Sequence, residues 1–304
     1  MKQIQLGALT APAVAVSCMR FANFDDAAMR RYLHTALELG ASFFDHADIY
    51  GGGKSEEVFG RALRAEASIR REDVVLQSKC GIRKGLYDQS KAYILQAVDG
   101  ILRRLQTDYL DVLLLHRPDA LVEPEEVAAA FDALERSGKV RQFGVSNHKP
   151  MQMELLRKAV RQPLIANQLQ FSLAASNMIA NGMEVNMSGD GAVDRDGSVL
   201  DYCRLRDITV QAWSPFQRES WQGPFIGSDA CPELNRVLTE AAQKYSATET
   251  AVASAWILRH PAHMQLIAGT TSEERLRQAV AGGEIELSRE DWYRLYLSAG
   301  HPLP

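Results

Sequence analysis

Short apolar runs alternate with segments of helical periodicity along the whole chain, and this alternation limits the possible folds more than any other feature. The apolar and β-branched runs predict eight strands, at residues 14–17, 43–45, 74–78, 112–116, 142–146, 165–168, 208–212 and 266–268. Apolar residues at helical spacing predict helices at 25–39, 54–67, 89–105, 124–137, 150–160, 198–205, 232–260 and 272–280. Such an alternation is typical of a parallel sheet covered by helices.

The fourth predicted strand indicates that these strands are buried on both faces. Residues 110–115 read Leu-Asp-Val-Leu-Leu-Leu, apolar at consecutive rather than alternate positions. No Pro- or Gly-rich linker divides the chain, so we predict one α/β domain over residues 1–304, a (β/α)8 TIM barrel, rather than two doubly wound domains. A barrel needs roughly 250 residues. The excess is expected in two long loops over the active face, 172–197 and 217–230.

Charge balance and cysteine usage limit the partners and the compartment. Lys and Arg total 34 against 38 Asp and Glu, a formal net charge of −4, and no basic tract indicates a nucleic-acid partner. The apolar stretches are far shorter than the ~20 residues of a membrane-spanning helix, and the first residues lack the apolar core of a signal peptide. Four scattered cysteines without a C-x-x-C pair favour a reducing cytoplasm.

Four polar residues at or near the ends of predicted buried strands form a coherent chemical set. Asp45 ends the second strand with Tyr50 five residues later, Lys79 follows the third, and His116 ends the fourth. A barrel binds substrates at the carboxyl ends of its strands. A Tyr with a pKa near ~10 is a weak acid at neutral pH, but a Lys held by a carboxylate can stabilise its phenolate. The set predicts proton donation by Tyr50 to a carbonyl oxygen, with His116 orienting the carbonyl.

Two other interpretations of these residues remain open. The four could be unrelated, with a surface Lys–Asp pair and a packed Tyr. Alternatively, metal ligands could come from the strand ends, as in metal-dependent barrel hydrolases, the candidates being Asp45, His46, Asp48 and His116. The predicted strands lack a His-x-His pair, and strands five and six carry no further His. We therefore expect no metal and keep the hydrolase only as a less favoured alternative.

Five motifs, in the same order, resemble those of the aldo-keto reductases, (β/α)8-barrel enzymes that bind a nicotinamide cofactor without a Rossmann fold. The resemblance spans nearly the whole chain and is greatest to the bacterial oxidoreductases with a long loop after the sixth strand. The motifs are Phe44-Asp45-His46-Ala47-Asp48-Ile49-Tyr50-Gly51, Ser78-Lys79, Asp111-Val112-Leu113-Leu114-Leu115-His116, Gly144-Val145-Ser146-Asn147 and residues 267–276.

The resemblance implies a catalytic tetrad and a nicotinamide site. The tetrad consists of Asp45, Tyr50, Lys79 and His116, with Tyr50 as the general acid. The carboxamide of the nicotinamide is expected to hydrogen-bond Ser146, Asn147 and Gln168. Trp213 stands where an aromatic ring stacks on the nicotinamide, and Ser214 and Phe216 follow along the pyrophosphate.

The segment after the eighth strand resembles the adenosine-phosphate site of the family. It comprises Gly269, Thr270, Thr271, Ser272 and Arg275, with Arg275 placed for the 2′-phosphate. Gly269 stands where many NADP-preferring members have a Lys, and Ala279 where many have an Asn. We therefore expect NADP(H), with NAD(H) bound at lower affinity. Arg20 follows the first strand, where the family's first loop passes the cofactor.

These features together predict an NADP(H)-dependent oxidoreductase that reduces an aldehyde or ketone to an alcohol. The expected partner is a small-molecule carbonyl substrate, and the expected state is a monomer or weak homo-oligomer. Loop positions suggest that Phe21, Tyr87 and Trp221 wall the substrate pocket. The alternative outside catalysis is a cofactor-sensing binding subunit, since some barrels of this family serve channels. The complete tetrad argues against that alternative.

Overall fold

Eight parallel strands form a closed barrel in which the strands follow chain order and the last pairs with the first. The computed structural model describes residues 1–219 and 222–303. The strands are β1 (Val14–Ser17), β2 (Phe43–Asp45), β3 (Val75–Cys80), β4 (Leu110–Leu115), β5 (Val140–Ser146), β6 (Leu164–Gln170), β7 (Thr209–Trp213) and β8 (Gln265–Ala268). Each predicted strand is confirmed, with ends that differ by at most two residues.

Helices connect the strands and bury their apolar faces. They are α1 (Asp26–Glu38), α2 (Lys54–Ala65), α3 (Lys91–Leu105), α4 (Pro124–Arg136), α5 (Pro150–Arg157), α6 (Asn177–Met183), α7 (Val199–Leu205), α8 (Pro232–Lys244), α9 (Glu249–Leu258), α10 (Glu273–Ala281) and α11 (Arg289–Ser298). Several of them start at a side chain that caps the first turn. For example, the Ser90 side chain accepts a hydrogen bond from the amide of Tyr93 at the start of α3. The predicted (β/α)8 barrel is confirmed.

The helices differ from the prediction in three places. The single helix predicted at 232–260 is two helices, α8 and α9, because Ser246 adopts a left-handed backbone and Thr248 caps α9. The segment 172–197, predicted as a loop, contains α6. The C-terminal helix α11 was not predicted; it packs its Trp292 and Leu295 into the core.

Among the described residues, two hairpins of named strands lie outside the barrel. The N-terminal hairpin pairs Gln3–Leu6 with Leu9–Pro12, and its turn reaches the starts of β5 and β7. There the amide of Ala8 donates to the side chain of Gln142, and the Thr209 hydroxyl donates to the carbonyl of Gln5. The hairpin therefore lies at the amino ends of the strands and leaves their carboxyl ends accessible. A shorter hairpin pairs Ile82–Arg83 with Leu86–Tyr87 after β3.

Side-chain alternation along β3 determines which groups enter the barrel. Gln77 and Lys79 are two residues apart, so they share the inward face, whereas Ser78 points outward and donates to Glu56 on α2 (2.7 Å). Both inward side chains are fully buried. The described part of the chain contains no helix long and apolar enough to span a bilayer.

Candidate active site

A buried ion pair joins β2 to β3 at the carboxyl end of the barrel. The Lys79 ammonium lies 2.8 Å from the Asp45 carboxylate, and both side chains are at most 1% exposed. The same ammonium donates to the carbonyl of His46 (2.8 Å) and to the Tyr50 hydroxyl (3.2 Å). Lys79 thus connects the carboxylate of Asp45 to the phenol of Tyr50, which is the arrangement that the sequence analysis predicted.

Asp45 is held from below by glutamines inside the barrel. One carboxylate oxygen accepts from the side-chain amides of Gln77 (2.6 Å) and Gln168 (3.1 Å). Gln77 and Gln168 both also donate to Gln211, and Gln211 donates onward to Gln265 (2.8 Å). Apart from Gln168, which was predicted as a nicotinamide contact, sequence reasoning missed this buried network. These glutamines come from four different strands, so no local sequence pattern links them.

Burial and the neighbouring charges set the protonation of Tyr50 and Lys79. Burial raises the pKa of the Tyr50 phenol, and the Lys79 ammonium only partly offsets this rise. Burial alone would lower the pKa of Lys79, but Asp45 and Tyr50 raise it above the ordinary value for a lysine. Our expectation that Lys79 would favour the phenolate is therefore only partly met. At neutral pH the phenol keeps its proton and the ammonium keeps its charge.

His116 stands beside Tyr50 as a neutral imidazole. The two rings meet edge to face with centroids 6.1 Å apart. Burial first, then the positive charges of Lys79 and Arg117, lower the pKa of His116 to about 2. Its Nδ1 is buried without a hydrogen-bond partner among the described residues. A neutral ring of this kind can hydrogen-bond a carbonyl oxygen without competing with Tyr50 as a proton donor.

The four residues expected at the nicotinamide are hydrogen-bonded to one another. The Ser146 hydroxyl donates to the carbonyl of Gln168 (2.9 Å) and accepts from the Asn147 amide group (2.7 Å). The indole N–H of Trp213 donates to the side-chain oxygen of Asn147 (3.2 Å). The indole ring is therefore fixed next to the amide groups of β5 and β6.

Two residues at this edge adopt a left-handed backbone that favours glycine. Asn147 directly follows β5 with φ +59°, and Ser214 directly follows β7 with φ +52°. Such conformations cost of order 1–3 kcal/mol and cluster at functional sites. Both residues line the same cavity.

A cavity of about 270 Å³ opens over these side chains. The predicted site residues that line it are Arg20, Asp45, Tyr50, His116, Ser146, Asn147, Gln168, Trp213, Ser214, Phe216 and Gly269. Lys79 lies beneath it, bonded to Asp45 and Tyr50. Lining residues that sequence reasoning did not single out are Ser17, Met19, Ile49, Ile82, Arg117, Pro215, Gln217 and Ile267. A larger cavity, about 360 Å³, lies between α6, α7 and α11, away from the tetrad.

The predicted phosphate segment continues from the cavity to the start of α10. A side chain at Gly269 would meet nothing within 4 Å, so the space above it is open. Ser272 caps α10 by accepting from the amide of Arg275, and the hydroxyl of Thr270 accepts from the amide of Ser272. Thr271 and Arg275 are exposed at this helix start. The role of this segment in binding phosphate stays a prediction.

The prediction that Phe21 and Tyr87 wall the substrate pocket is wrong. Phe21 is fully buried and packs on Phe24 and Tyr32, since the 3-10 turn that carries it faces α1. Tyr87 is 47% exposed on the short hairpin after β3 and does not line the cavity. Trp221, the third predicted wall residue, lies outside the described residues.

The side chains considered as metal ligands point in different directions. The His46 ring packs against Phe59 of α2, with centroids 4.7 Å apart, and burial lowers its pKa to about 3. Asp48 accepts a hydrogen bond from Tyr93 (3.3 Å) on α3, while Asp45 faces Lys79. Among the described residues, no three His, Cys, Asp or Glu side chains are grouped so that they could hold a metal ion.

Comparison with known proteins identifies the family. The model of the aldo/keto reductase family matches residues 4–296. The chain belongs to the aldo/keto reductase family. The predicted resemblance is therefore confirmed, and this aldo/keto reductase is an oxidoreductase.

Individual relatives match this aldo/keto reductase over nearly the full length of both proteins. It is 35% identical to the uncharacterized oxidoreductase YcsN of Bacillus subtilis (strain 168) over 93% of this chain and 92% of that protein. It is 34% identical to the 6-dehydroglucose reductase of Agrobacterium fabrum (strain C58 / ATCC 33970), covering 91% and 90%. Among solved structures, the aldo/keto reductase from Klebsiella pneumoniae in complex with NADP and acetate is 27% identical with a TM-score of 0.78, covering 100% and 96%.

Proposed function

We propose that this protein reduces an aldehyde or ketone to an alcohol with NADP(H), using Tyr50 as the general acid. One observation carries the proposal. The Tyr50 hydroxyl lies 3.2 Å from the Lys79 ammonium, which is itself paired with Asp45, at the floor of a cavity lined by His116 and Trp213. This arrangement can deliver a proton to an oxygen that gains negative charge.

The residues around the cavity fit a nicotinamide cofactor. The indole of Trp213 offers a flat apolar face, and the side chains of Asn147 and Gln168 offer amide groups at one edge of the cavity. The space above Gly269 is open, and Arg275, six residues later in the chain, is exposed at the start of α10, where its guanidinium suits a phosphate. The Klebsiella pneumoniae relative is an NADP complex of the same fold. We therefore propose NADP(H) as the cofactor and expect NAD(H) to bind more weakly.

The chain's own groups perform the proton chemistry. His116, neutral at physiological pH, donates to the substrate carbonyl oxygen and orients it. Tyr50 transfers its phenolic proton to that oxygen, and Lys79 stabilises the phenolate that remains. When bound, the reduced nicotinamide supplies the hydride that the carbonyl carbon gains. One hydride and one proton convert the carbonyl into an alcohol, after which Tyr50 regains its proton from solvent.

Tyr50→Phe tests the proposal because it removes the hydroxyl and keeps the ring. General acid catalysis contributes about 10²–10⁴-fold, so kcat should fall by this factor while the Kd for NADPH stays within about twofold. The assay is loss of nicotinamide absorbance with a panel of aldehydes and ketones, beside titration of NADPH by tryptophan fluorescence. Near-full activity of the variant would refute the role of Tyr50. Tight binding of NADPH by the wild type without turnover of any carbonyl would favour the cofactor-sensing subunit.

A further inference from the structure

The cavity over the tetrad carries two positive side chains that have no partner in the part of the chain that the structure describes. Arg20 and Arg117 both line it, and neither guanidinium makes a hydrogen bond or ion pair with any described residue. Asp45 is the only carboxylate among the described lining residues, and it is already paired with Lys79. The cavity therefore has an excess of positive charge, which an anionic ligand would neutralise.

The backbone of Arg117 is fixed while its side chain is left available. Its carbonyl accepts from the buried side-chain amide of Gln89 (2.6 Å). The nearest acid in sequence, Asp119, uses its carboxylate to accept from the amides of Gln89 (3.0 Å) and Leu121 (2.9 Å). Asp119 thus holds the loop after β4. The half-buried guanidinium remains in the cavity beside His116, whose pKa its charge helps to lower.

Barrel order separates the two arginines. Arg20 follows β1, which pairs with β8, the strand that leads into the proposed phosphate segment. Arg117 follows β4, four strands away from β8 on either side of the eight-stranded barrel. Arg20 can therefore serve the phosphates of the cofactor. Arg117 lies on the opposite wall, next to the group proposed to orient the substrate carbonyl.

We infer that Arg117 binds a carboxylate on the substrate, so that the preferred substrates are short carbonyl compounds carrying a carboxylate. The inference rests on the reductase function proposed above. A guanidinium presents two parallel N–H donors that match a carboxylate, and such charge-assisted pairs are strong in a partly buried site. The apolar side chains of Ile49 and Ile82 also line the cavity and suit a short methylene spacer between the two groups.

The test compares acids with their neutral esters. Wild-type enzyme with saturating NADPH is assayed on 4-oxobutanoate and 5-oxopentanoate and on the methyl ester of each. We expect kcat/KM to favour at least one acid over its ester by about 10–100-fold, equivalent to about 1.4–2.8 kcal/mol at about 1.4 kcal/mol per decade. Arg117→Gln should remove this preference, chiefly through KM for the acid, so that the variant reduces acid and ester with similar kcat/KM.

Two further variants test whether the preference for the acid depends on the charge of Arg117, on its paired donors, or only on the net charge of the protein. Arg117→Lys keeps the charge but loses the paired donors, so it should retain an intermediate preference. Arg64→Gln removes one positive charge from an exposed position on α2 away from the cavity and should leave both substrates unaffected. Thermal unfolding of each variant verifies that it is folded. We expect Arg117→Gln to unfold at the wild-type temperature because its side chain makes no hydrogen bond with the described residues.

The outcomes distinguish this inference from the proposed function. Esters reduced as well as acids by the wild type, or equal losses for both in Arg117→Gln, would overturn the inference while reductase activity stands. Absence of NADPH oxidation with all four compounds and with neutral aldehydes would overturn the reductase proposal and the inference together.

Discussion

Separating the Lys79–Asp45 pair should cost more stability than removing both charges. Neither side chain is more than 1% exposed, so each charge depends on the other for compensation. Breaking a buried pair by removing one partner costs about 3–5 kcal/mol, whereas removing both is often far cheaper. We therefore expect Lys79→Met and Asp45→Asn each to lower the free energy of unfolding by about 3–5 kcal/mol. The double variant should lose at least about 2 kcal/mol less than the sum.

The hydrogen bonds around Asp45 explain why we expect even the isosteric Asn to destabilise the fold. One oxygen of Asp45 accepts from Gln77 and Gln168, and the carboxylate also accepts from Lys79. An Asn has one oxygen and one amide donor, so in either orientation its N–H groups face other donors. Lys79→Met removes the ammonium and, with it, this conflict. In Lys79→Met alone, the carboxylate retains its two glutamine donors but loses its counter-charge.

Urea unfolding of the four proteins measures the coupling directly. Tryptophan fluorescence reports unfolding, because the chain has 4 Trp. All three variants should also lose carbonyl reduction, since each removes a support of Tyr50. Distant, independent sites add within about 0.3–0.5 kcal/mol. If the losses of the two single variants add within this range to give the loss of the double variant, the two charges do not depend on each other and the argument is refuted.

Three further predictions follow from other parts of the site. Arg275→Ala should weaken the binding of NADPH about 10–150-fold, because a charge-assisted pair contributes roughly 1.5–3 kcal/mol, and it should leave the binding of NADH nearly unchanged. Equal losses of affinity for the two cofactors would show that Arg275 only supports its loop. Burial, followed by the charge of Glu56, raises the pKa of Asp48 to about 7. The folded protein therefore holds this proton more tightly than the unfolded chain, and its stability falls as pH rises from about 4 to about 7. Asp48→Asn should thus gain stability over wild type on the order of 2 kcal/mol between pH 5 and pH 8 in urea unfolding, and a pH-independent difference would contradict this. Gln77→Leu should lower kcat about tenfold or more with little change in KM, because Asp45 loses its shortest hydrogen bond, and an unchanged kcat would show that the glutamines serve only the fold.

The barrel strands could be predicted because burial on both faces leaves a strong signal. An apolar run such as Leu110–Leu115 has few other interpretations once helices flank it. The break between α8 and α9 gave no comparable signal, because no Gly or Pro marks it and the left-handed residue is Ser246. The N-terminal hairpin was missed although Gly7 marks its turn, because its two strands are short and partly polar.

The tetrad could be predicted because parallel strands bring their carboxyl ends to one edge. Asp45 and Lys79 are 34 positions apart in the chain, yet adjacent strands place them within 2.8 Å. The direction in which the Tyr50 pKa shifts could not be predicted from the sequence. It depends on the balance between the burial of the phenol, which raises the pKa, and the nearby charge of Lys79, which lowers it. Arg117 was missed because a loop arginine beside a functional residue looks like an ordinary surface charge.

The glutamine network specifies which atom of Gln168 can meet a ligand. Both hydrogens of its side-chain amide are used inside the barrel, one by Asp45 (3.1 Å) and one by Gln211 (3.1 Å). Gln211 in turn uses both of its own hydrogens, on Gln77 (3.0 Å) and Gln265 (2.8 Å), so the direction of donation is fixed along the chain of amides. Gln168 therefore has only its oxygen left for the cavity that it lines. Any ligand group that contacts this oxygen must donate a hydrogen bond, as the amino group of a carboxamide does.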